Sequence, residues 1–343
     1  NFHPIAGELF VSRVKITTSS MSVGLIARAG LRVPRASLLG SRFMSSHPSE
    51  RTAAAVRPKV TVTELERKRA AGEKITVLTA YDYPSALLVE RAGADVILVG
   101  DSLAMVVLGQ PNTTSVTMNE MLHHCKAVSR GARSSFLVGD LPFGSYHASI
   151  EDAVRNSVRF IHEGHMEAVK LEGGREMAST VKAITRVGVP VVGHIGLTPQ
   201  RVTSLGGYRV QGKSVQDALA LVDDALALQD AGCMALVLEC IPPPVAEEVT
   251  RALDIPTIGI GAGAACSGQV LVMHDMLGLY DRFVPKFCKQ YAKLDEAIVD
   301  AFKRYIDDVA TGAFPAQEHT YAMKKEAVEE FREALHFRKR TVV

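Results

Sequence analysis

Short apolar runs alternate along the chain with longer stretches whose apolar residues recur at helical spacing, from about Thr61 onward. The apolar runs are bounded by glycine, proline or acidic residues and are too short for buried helices, so they predict strands. The predicted strands cover residues 75–82, 95–102, 135–143, 167–174, 190–199, 233–240, 255–263 and 281–287.

The segments between these runs predict amphipathic helices, of which the first ends at Gly93 and the longest begins near Ser214. Strands that alternate with helices form parallel sheets covered on both faces. Eight such units in roughly 260 residues fit a (β/α)8 TIM barrel better than an open doubly wound sheet. We therefore expect one catalytic barrel over residues 59–320 and a C-terminal helical extension over residues 321–343.

Residues 1–58 differ in composition from the rest of the chain. They carry eight Lys or Arg residues, many serines and only two acidic residues, Glu8 and Glu50. This composition is typical of a mitochondrial or plastid transit peptide, and a disordered basic tail is the alternative. We expect an organelle-targeting segment outside the fold, with the mitochondrion as its destination.

The remainder of the chain is mildly acidic, with 31 basic and 35 acidic residues. This balance gives no support to a nucleic-acid or membrane-surface partner. No apolar run approaches the ~18 residues that a membrane span requires. The five cysteines show neither a CxxC pair nor zinc-site spacing, so we expect buried, reduced thiols. Small molecules are therefore the expected partners.

Polar side chains stand at the carboxyl ends of five successive predicted strands, namely Asp101, Asp140, Lys170 with Glu172, His194, and Glu239. In a barrel these strand ends open on one face, where the active sites of this fold lie. Within VKLEGG, residues 169–174, strand alternation directs Lys170 and Glu172 to the same side. The pattern predicts one cluster on that face.

Each of these residues also has a structural interpretation. A strand-end carboxylate such as Asp140 often caps the following helix, and a lone histidine such as His194 is more often hydrogen-bonded than a ligand. Capping explains Glu239 poorly, because CIPPP follows it and no helix begins at once. Several carboxylates on one face repel one another and take raised pKa values, and Lys170 alone supplies too little positive charge to hold them.

Facing carboxylates with oxygen chemistry around them suit a hard divalent cation. Asp101, Asp140 and Glu172, together with water, fit octahedral Mg²⁺ and leave positions for a substrate. Zinc is a poorer choice because His194 is the only imidazole of the cluster. A Mg²⁺ ion polarises a 2-oxo acid and stabilises its enolate, and Glu239 is then the free carboxylate that serves as base.

Several segments resemble the ketopantoate (3-methyl-2-oxobutanoate) hydroxymethyltransferase family, in order from about residue 59 to 318: VLTAYDYPSALLVERAGADVILVGDSLAMVVLG, VGDLPFGSY, AVKLEGG, GHIGLTPQ, LVLECIP, IPTIGIGAGAACSGQVLVMHDMLGL and RFVPKFCKQYA. The resemblance implies a barrel of the phosphoenolpyruvate/pyruvate superfamily, Mg²⁺ dependence and a homo-oligomer. It also implies hydroxymethyl transfer from 5,10-methylenetetrahydrofolate to 3-methyl-2-oxobutanoate, which yields 2-dehydropantoate for pantothenate synthesis.

The resemblance also implies roles for single residues. Its metal carboxylates fall on Asp101, Asp140 and Glu172, the last directly or through water, and its oxo-acid contacts fall on Asp101, Ser102, Asp140 and Lys170. Its proton acceptor falls on Glu239. His194 matches the histidine of the GHIGL motif, which implies a substrate contact or a supporting position.

The sequence leaves the roles of two segments undecided. The family motif DSLGM is DSLAM here, and the methyl group of Ala104 would narrow the pocket if that position needed a positive φ. The loop GGYRVQGK, residues 206–213, is either a mobile lid or an ordinary exposed glycine-rich loop.

Other functions share part of this pattern. An isocitrate-lyase-like C–C lyase or a phosphonomutase would have the same barrel and acids, but the chain has no KKCGH loop of the kind typical of such lyases. A phosphate-binding barrel protein would use GIGAGAACSG, residues 259–268, as an anion cradle, although such runs more often pack a tight turn. A non-catalytic scaffold is the remaining alternative.

Overall fold

The computed structural model describes residues 57–340. Eight parallel strands pair in chain order and the eighth pairs with the first, so the sheet closes and the expected (β/α)8 barrel is confirmed. The expected targeting segment lies, but for its last two residues, outside the described part of the chain. The strands are β1 Ile75–Thr79, β2 Val96–Val99, β3 Phe136–Asp140, β4 Ala168–Lys170, β5 Val191–Gly196, β6 Ala235–Glu239, β7 Thr257–Ile260 and β8 Gly268–Leu271.

Most of the helices lie where the sequence predicts them. The first predicted helix begins after Asp82, which accepts a hydrogen bond from the backbone N–H of Ser85, and ends at Gly93 in a left-handed conformation. The helices are α1 Val62–Ala70, α2 Tyr83–Ala92, α3 Leu103–Val106, α4 Met118–Gly131, α5 Ile150–His162, α6 Ala178–Arg186, α7 Val215–Asp230, α8 Pro243–Ala252, α9 Met273–Met276, α10 Leu294–Thr311 and α11 Lys325–Arg340.

The predicted eighth strand over residues 281–287 is wrong. The strand that closes the barrel is β8, and residues 261–267 join it to β7 without a helix, so the alternation of strands and helices fails there. Gly268 pairs with Ile75 of β1. A Cβ atom at Gly268 would lie 2.3 Å from the carbonyl oxygen of Ile75, so close strand packing requires a glycine at this position.

The inward-facing residues of the strands form an apolar core inside the barrel. Val60 and Leu65 belong to the same apolar cluster. Helix α1, which contains Leu65, and the preceding Val60 therefore close the amino end of the barrel. The carboxyl end is left for polar side chains. In this fold, packing usually lies at the amino end of the barrel and the chemistry at the carboxyl end.

Helix α10 contributes no buried residue. Its exposed apolar side chains recur at helical spacing and include Ile298, Phe302, Tyr305, Ile306 and Val309. Among residues 57–340, no helix has the combination of length and hydropathy needed to cross a bilayer. Because α10 has no buried residue, its apolar face is not covered by the rest of the described chain, residues 57–340.

Candidate active site

The acids expected at the ends of β2 and β3 meet at the carboxyl end of the barrel. Asp140 is the last residue of β3, and its Oδ2 accepts a hydrogen bond of 3.0 Å from the backbone N–H of Asp101. Lys170 lies opposite Asp140 in the strand register, with its Nζ 3.0 Å from Asp140 Oδ1. All three residues are buried. The Lys170 ammonium group is therefore a buried partner of these acids and not part of a solvated surface pair.

His194 links the two ends of the cluster. Its Nδ1 lies 3.4 Å from Lys170 Nζ and 3.6 Å from Glu172 Oε1, and its Nε2 lies 3.2 Å from Glu239 Oε2. Burial lowers the pKa of His194 well below its usual value, and the charge of Lys170 lowers it further. An ammonium group only donates, so Nδ1 accepts from Lys170 and the neutral ring carries its proton on Nε2, facing Glu239.

Glu239 ends β6 at the rim of the cluster. Its side chain is 14% exposed, whereas those of His194 and Lys170 are 3% and 7% exposed. The next residue, Cys240, has a φ of +48°, a left-handed conformation that is unfavourable for a residue with a side chain. Strained backbone of this kind often lies at functional sites. Here it follows directly on the carboxylate expected to act as base.

Three carboxyl groups of the cluster, those of Asp101, Glu172 and Glu239, have raised pKa values, as the excess of acids over one lysine predicts. Burial and then the charge of Asp140 raise the pKa of Asp101 to about 7. Burial, followed by the charge of Asp101, raises the pKa of Glu172 well above its usual value. Burial also raises the pKa of Glu239 to about 7, with Lys170 acting in the opposite direction. The cluster is thus short of positive charge.

Gln200 and Tyr146 belong to the site although the sequence did not single them out. Gln200 Nε2 donates to Asp101 Oδ2 at 2.9 Å, and the Gln200 backbone N–H donates to Glu172 Oε2 at 3.0 Å. The Tyr146 hydroxyl donates to Gln200 Oε1 at 2.6 Å and accepts from the backbone N–H of Glu172. In the sequence, Gln200 is marked by its position at the end of GHIGLTPQ, just after β5. A neutral residue in a turn belongs to no periodic pattern, so periodicity does not identify it as a site residue.

Ser102 and Ala104 lie in the segment that follows β2. The Ser102 Oγ is 2.8 Å from the hydroxyl of the buried Tyr81, and this hydrogen bond fixes the orientation of the Ser102 hydroxyl. Ala104 is fully buried within α3, and its backbone N–H donates to Asp101 O. A right-handed helical position does not need glycine. The departure from the DSLGM motif is therefore accommodated by the core and leaves the acids in place.

The donor set fits a hard cation that keeps several waters. Within residues 57–340, no three His, Cys, Asp or Glu side chains form a ready metal-binding group. Asp101 and Asp140 are adjacent, and Asp140 Oδ1 has no hydrogen bond within the described chain beyond its ion pair with Lys170. Mg²⁺ is usually held by one or two carboxylates with water and substrate oxygens. Glu172 Oε2 already accepts from Gln200, which suits a role through water.

The sequence model of the family described as ketopantoate hydroxymethyltransferase matches residues 59–317. The chain belongs to this family. Proteins with the name 3-methyl-2-oxobutanoate hydroxymethyltransferase are similar to it over most of their length. The one from Moorella thermoacetica is 57% identical over 267 residues, covering 78% of this chain and 99% of the relative. The one from Emericella nidulans is 50% identical over 321 residues, covering 93% and 91%.

Solved structures of other enzymes share the fold of this family member. Phosphoenolpyruvate phosphomutase from Streptomyces platensis subsp. rosaceus has a TM-score of 0.51 and 16% identity, covering 81% of this chain and 97% of that one. A phosphonopyruvate hydrolase has a TM-score of 0.51 and 12% identity, covering 80% and 96%. At such identities the likeness shows the barrel fold alone. The family match therefore disfavours the lyase, phosphonomutase and phosphate-binding alternatives.

Proposed function

We propose that this chain transfers a hydroxymethyl group from 5,10-methylenetetrahydrofolate to 3-methyl-2-oxobutanoate, and that it thereby serves pantothenate synthesis. Water is consumed, and the products are 2-dehydropantoate and tetrahydrofolate. Membership of the family supports the reaction. The structural observation that carries the proposal is a buried group of carboxylates around one lysine, with the raised-pKa carboxyl of Glu239 at its open rim.

The proposal includes one Mg²⁺ ion, held by Asp101 and Asp140 and by Glu172 directly or through water. Such an ion would draw electrons from the 2-oxo group and make the neighbouring C3–H bond more acidic. The shortage of positive charge in the cluster supports a divalent cation. The preference for oxygen ligands supports magnesium over zinc.

The residues of the chain divide the remaining work. Lys170 binds the carboxylate of the oxo acid, and Ser102, oriented by Tyr81, donates a hydrogen bond to it. Glu239 takes the C3 proton, for which a pKa of about 7 is suited near neutral pH. His194 lies beside this base, with its Nε2 3.2 Å from Glu239 Oε2 and not hydrogen-bonded to it in this structure. The methylene carbon of the donor exchanges its two bonds to carrier nitrogens for one bond to C3 and one bond to the oxygen of water. The two nitrogens take up the proton removed from C3 and one proton of the water.

An assay of both half-reactions tests this proposal. The purified protein should consume 3-methyl-2-oxobutanoate with 5,10-methylenetetrahydrofolate, and EDTA should stop the reaction until Mg²⁺ is added back. Without the donor, the protein should exchange the C3 proton of the oxo acid into heavy water, as followed by NMR. Absence of transfer by the metal-loaded protein would refute the proposed activity.

A substitution at Glu239 tests the assignment of the base. Glu239→Gln keeps the size of the side chain but removes the proton acceptor, so C3 exchange should fall by about two to four orders of magnitude. Binding of the oxo acid and Mg²⁺, measured by calorimetry, should persist. Exchange at the rate of the unchanged protein in this variant would remove Glu239 from the role.

We also propose import into the mitochondrion and assembly into a homo-oligomer. The basic, serine-rich composition of residues 1–58 supports import, and sequencing of the amino terminus of the protein from cells tests it. An uncut amino terminus would argue against import. The exposed apolar face of α10 supports assembly with further copies of the chain.

A further inference from the structure

The carrier of the one-carbon unit has to approach the reacting carbon from the side on which the cluster is open. The side chains of Asp140, Lys170 and His194 are 3%, 7% and 3% exposed, and that of Glu239 is 14% exposed. The packed interior of the barrel lies on the other side of the cluster. A donor as large as a folate therefore reaches the oxo acid across the rim that holds Glu239.

The loop of residues 206–213 crosses this rim. At one end, the backbone N–H of Gln211 donates to Cys240 O at 3.0 Å, beside Glu239 at the end of β6. At the other, the Tyr208 hydroxyl contacts Met105 Sδ of α3 at 3.8 Å, just after β2. In a closed barrel of eight strands, β2 and β6 lie on opposite sides. The segment from Tyr208 to Gln211 therefore spans the mouth of the barrel, with the Tyr208 side chain on the side of α3.

Two further observations show which way Tyr208 faces. Its hydroxyl lies on Met105, four residues after Asp101, and burial together with the negative charges of Glu239 and Asp101 raises the pKa of this hydroxyl. The side chain nevertheless remains 50% exposed. One part of the ring thus faces the cluster, and another part is open to a ligand that enters from solvent.

We propose that Tyr208 contacts a flat ring of the folate carrier and holds its one-carbon unit over Glu239, an inference that rests on the proposed function. The carrier contains planar pyrimidine and aminobenzoate rings, and an exposed phenol ring presents both an aromatic face and a hydrogen-bonding edge to such a ligand. The oxo acid, by contrast, is small and is bound by the charged residues below. Tyr208 therefore determines affinity for the donor and leaves proton removal unaffected.

The two half-reactions separate these roles. Tyr208→Leu keeps bulk without the aromatic ring, and we expect it to raise the KM for 5,10-methylenetetrahydrofolate about tenfold, equivalent to ~1.4 kcal/mol. The donor-free exchange of the C3 proton should stay within about twofold of that of the unchanged protein. Tyr208→Phe keeps the aromatic ring without the hydroxyl contact to Met105, so it should raise the KM for the donor by less than Tyr208→Leu does. Val210→Ala, at another exposed position of the loop, is the matched control.

The outcomes are distinct. An equal fall of exchange and transfer in Tyr208→Leu would place the ring on the oxo acid and overturn the inference, as would an unchanged KM for the donor. The melting temperature of each variant shows that it is folded, and Tyr208→Ala repeats the test with a different side chain. An unchanged protein that exchanges the C3 proton yet fails to use the folate would instead refute the proposed function, before any variant is measured.

Discussion

Glu239 combines a buried environment with access to the rim of the site. Its carboxyl group lies near a neutral His194. Among the causes of its pKa shift, the charge of Lys170 is the one that lowers the pKa. Burial dominates and raises this pKa to about 7. A carboxylate with a pKa near the working pH is both sufficiently basic and sufficiently ionised to remove a proton. The position of one side chain at the end of β6 thus sets the chemistry of the site.

The exchange reaction should therefore depend on pH in a defined direction. Below pH 7 the Glu239 carboxyl is mostly protonated and cannot accept the C3 proton, so the rate should fall by about tenfold for each unit of pH lost. Above pH 7 the rate should level off. The measurement is the rate of deuterium incorporation between pH 5 and pH 9 at saturating Mg²⁺ and oxo acid, taking these limits as about two units either side of that pKa. A rate that did not fall at any pH down to about 5 would show that a different group is the base.

Gln200 is the polar residue that ties the acids to the turn after β5. Replacement by leucine removes the donor to Asp101 Oδ2 and the acceptor of the Tyr146 hydroxyl, both of which are buried. Unpaired buried groups are expected to lower the free energy of unfolding by about 1–3 kcal/mol. Gln200→Leu should therefore melt at a lower temperature and bind Mg²⁺ more weakly in calorimetric titration.

The matched control for this substitution is Gln216→Leu, at an exposed position on α7. It should leave both the melting temperature and the affinity for Mg²⁺ close to those of the unchanged protein. If Gln200→Leu and Gln216→Leu behaved alike, Gln200 would have no part in holding Asp101.

At the scale of secondary-structure elements, the connection between β5 and α7 contributes two separate parts of the site, whereas each strand contributes one or two side chains. It contains the turn of Gln200 and the loop of residues 206–213, which is fastened beside Glu239 by the bond from Gln211 to Cys240 O. Gly206 and Gly207 have φ values of +67° and +110°, so the turn before Tyr208 needs residues without side chains. The strands position the charges, and this connection encloses them.

Helix α10 is the element whose surface predicts a further contact. Phe302 and Ile306 lie one turn apart on its exposed apolar face, 63% and 61% exposed. Large exposed apolar faces mark interaction sites, and a second copy of the chain is the partner that we expect. The double substitution Phe302→Asp and Ile306→Asp should reduce the mass of the particle in sedimentation experiments, because burial of two carboxylates in an apolar interface is unfavourable.

A charged control separates this effect from a general change of surface charge. Lys303→Asp and Asp307→Lys, on the same helix, should leave the mass of the particle unchanged, since neither residue belongs to the apolar set. A single particle mass for all variants would show that α10 makes no contact between copies.

For the molecule as a whole, the sequence predicted the features that depend on periodicity. Seven buried strands and the acids at their ends follow from short apolar runs and from the rule that parallel strand ends share a face. The closing strand β8 escaped because it has four residues and follows β7 without a helix. The short helix α1 was not predicted, because its nine residues are mostly polar and show no apolar periodicity. Thr61 and Glu64 do have the spacing of a helix cap. Gln200 escaped because contacts between distant turns leave no trace in periodicity.

The charge balance of the site predicts how the stability of the whole molecule responds to a metal. The pKa of Asp101 is raised to about 7, so the folded protein binds more protons than the unfolded chain between about pH 4 and pH 7. Stability of the metal-free protein should therefore fall as the pH rises through this range. Mg²⁺ at about one hundred times its dissociation constant should restore ~2.7 kcal/mol, with the largest increase in melting temperature above pH 7.

Calorimetry of EDTA-treated protein with and without Mg²⁺, at pH 5.5 and pH 8, measures this response, since these values lie about one unit or more from the pKa of Asp101 on either side. Asp140→Asn should abolish most of the increase at pH 8, because it removes one of the two adjacent carboxylates. Asp217→Asn, on the exposed first turn of α7, should not change it. An increase that is equal at both pH values, or that survives in Asp140→Asn, would mean that the ion binds elsewhere, since only the buried carboxylates couple metal, proton and fold in this way.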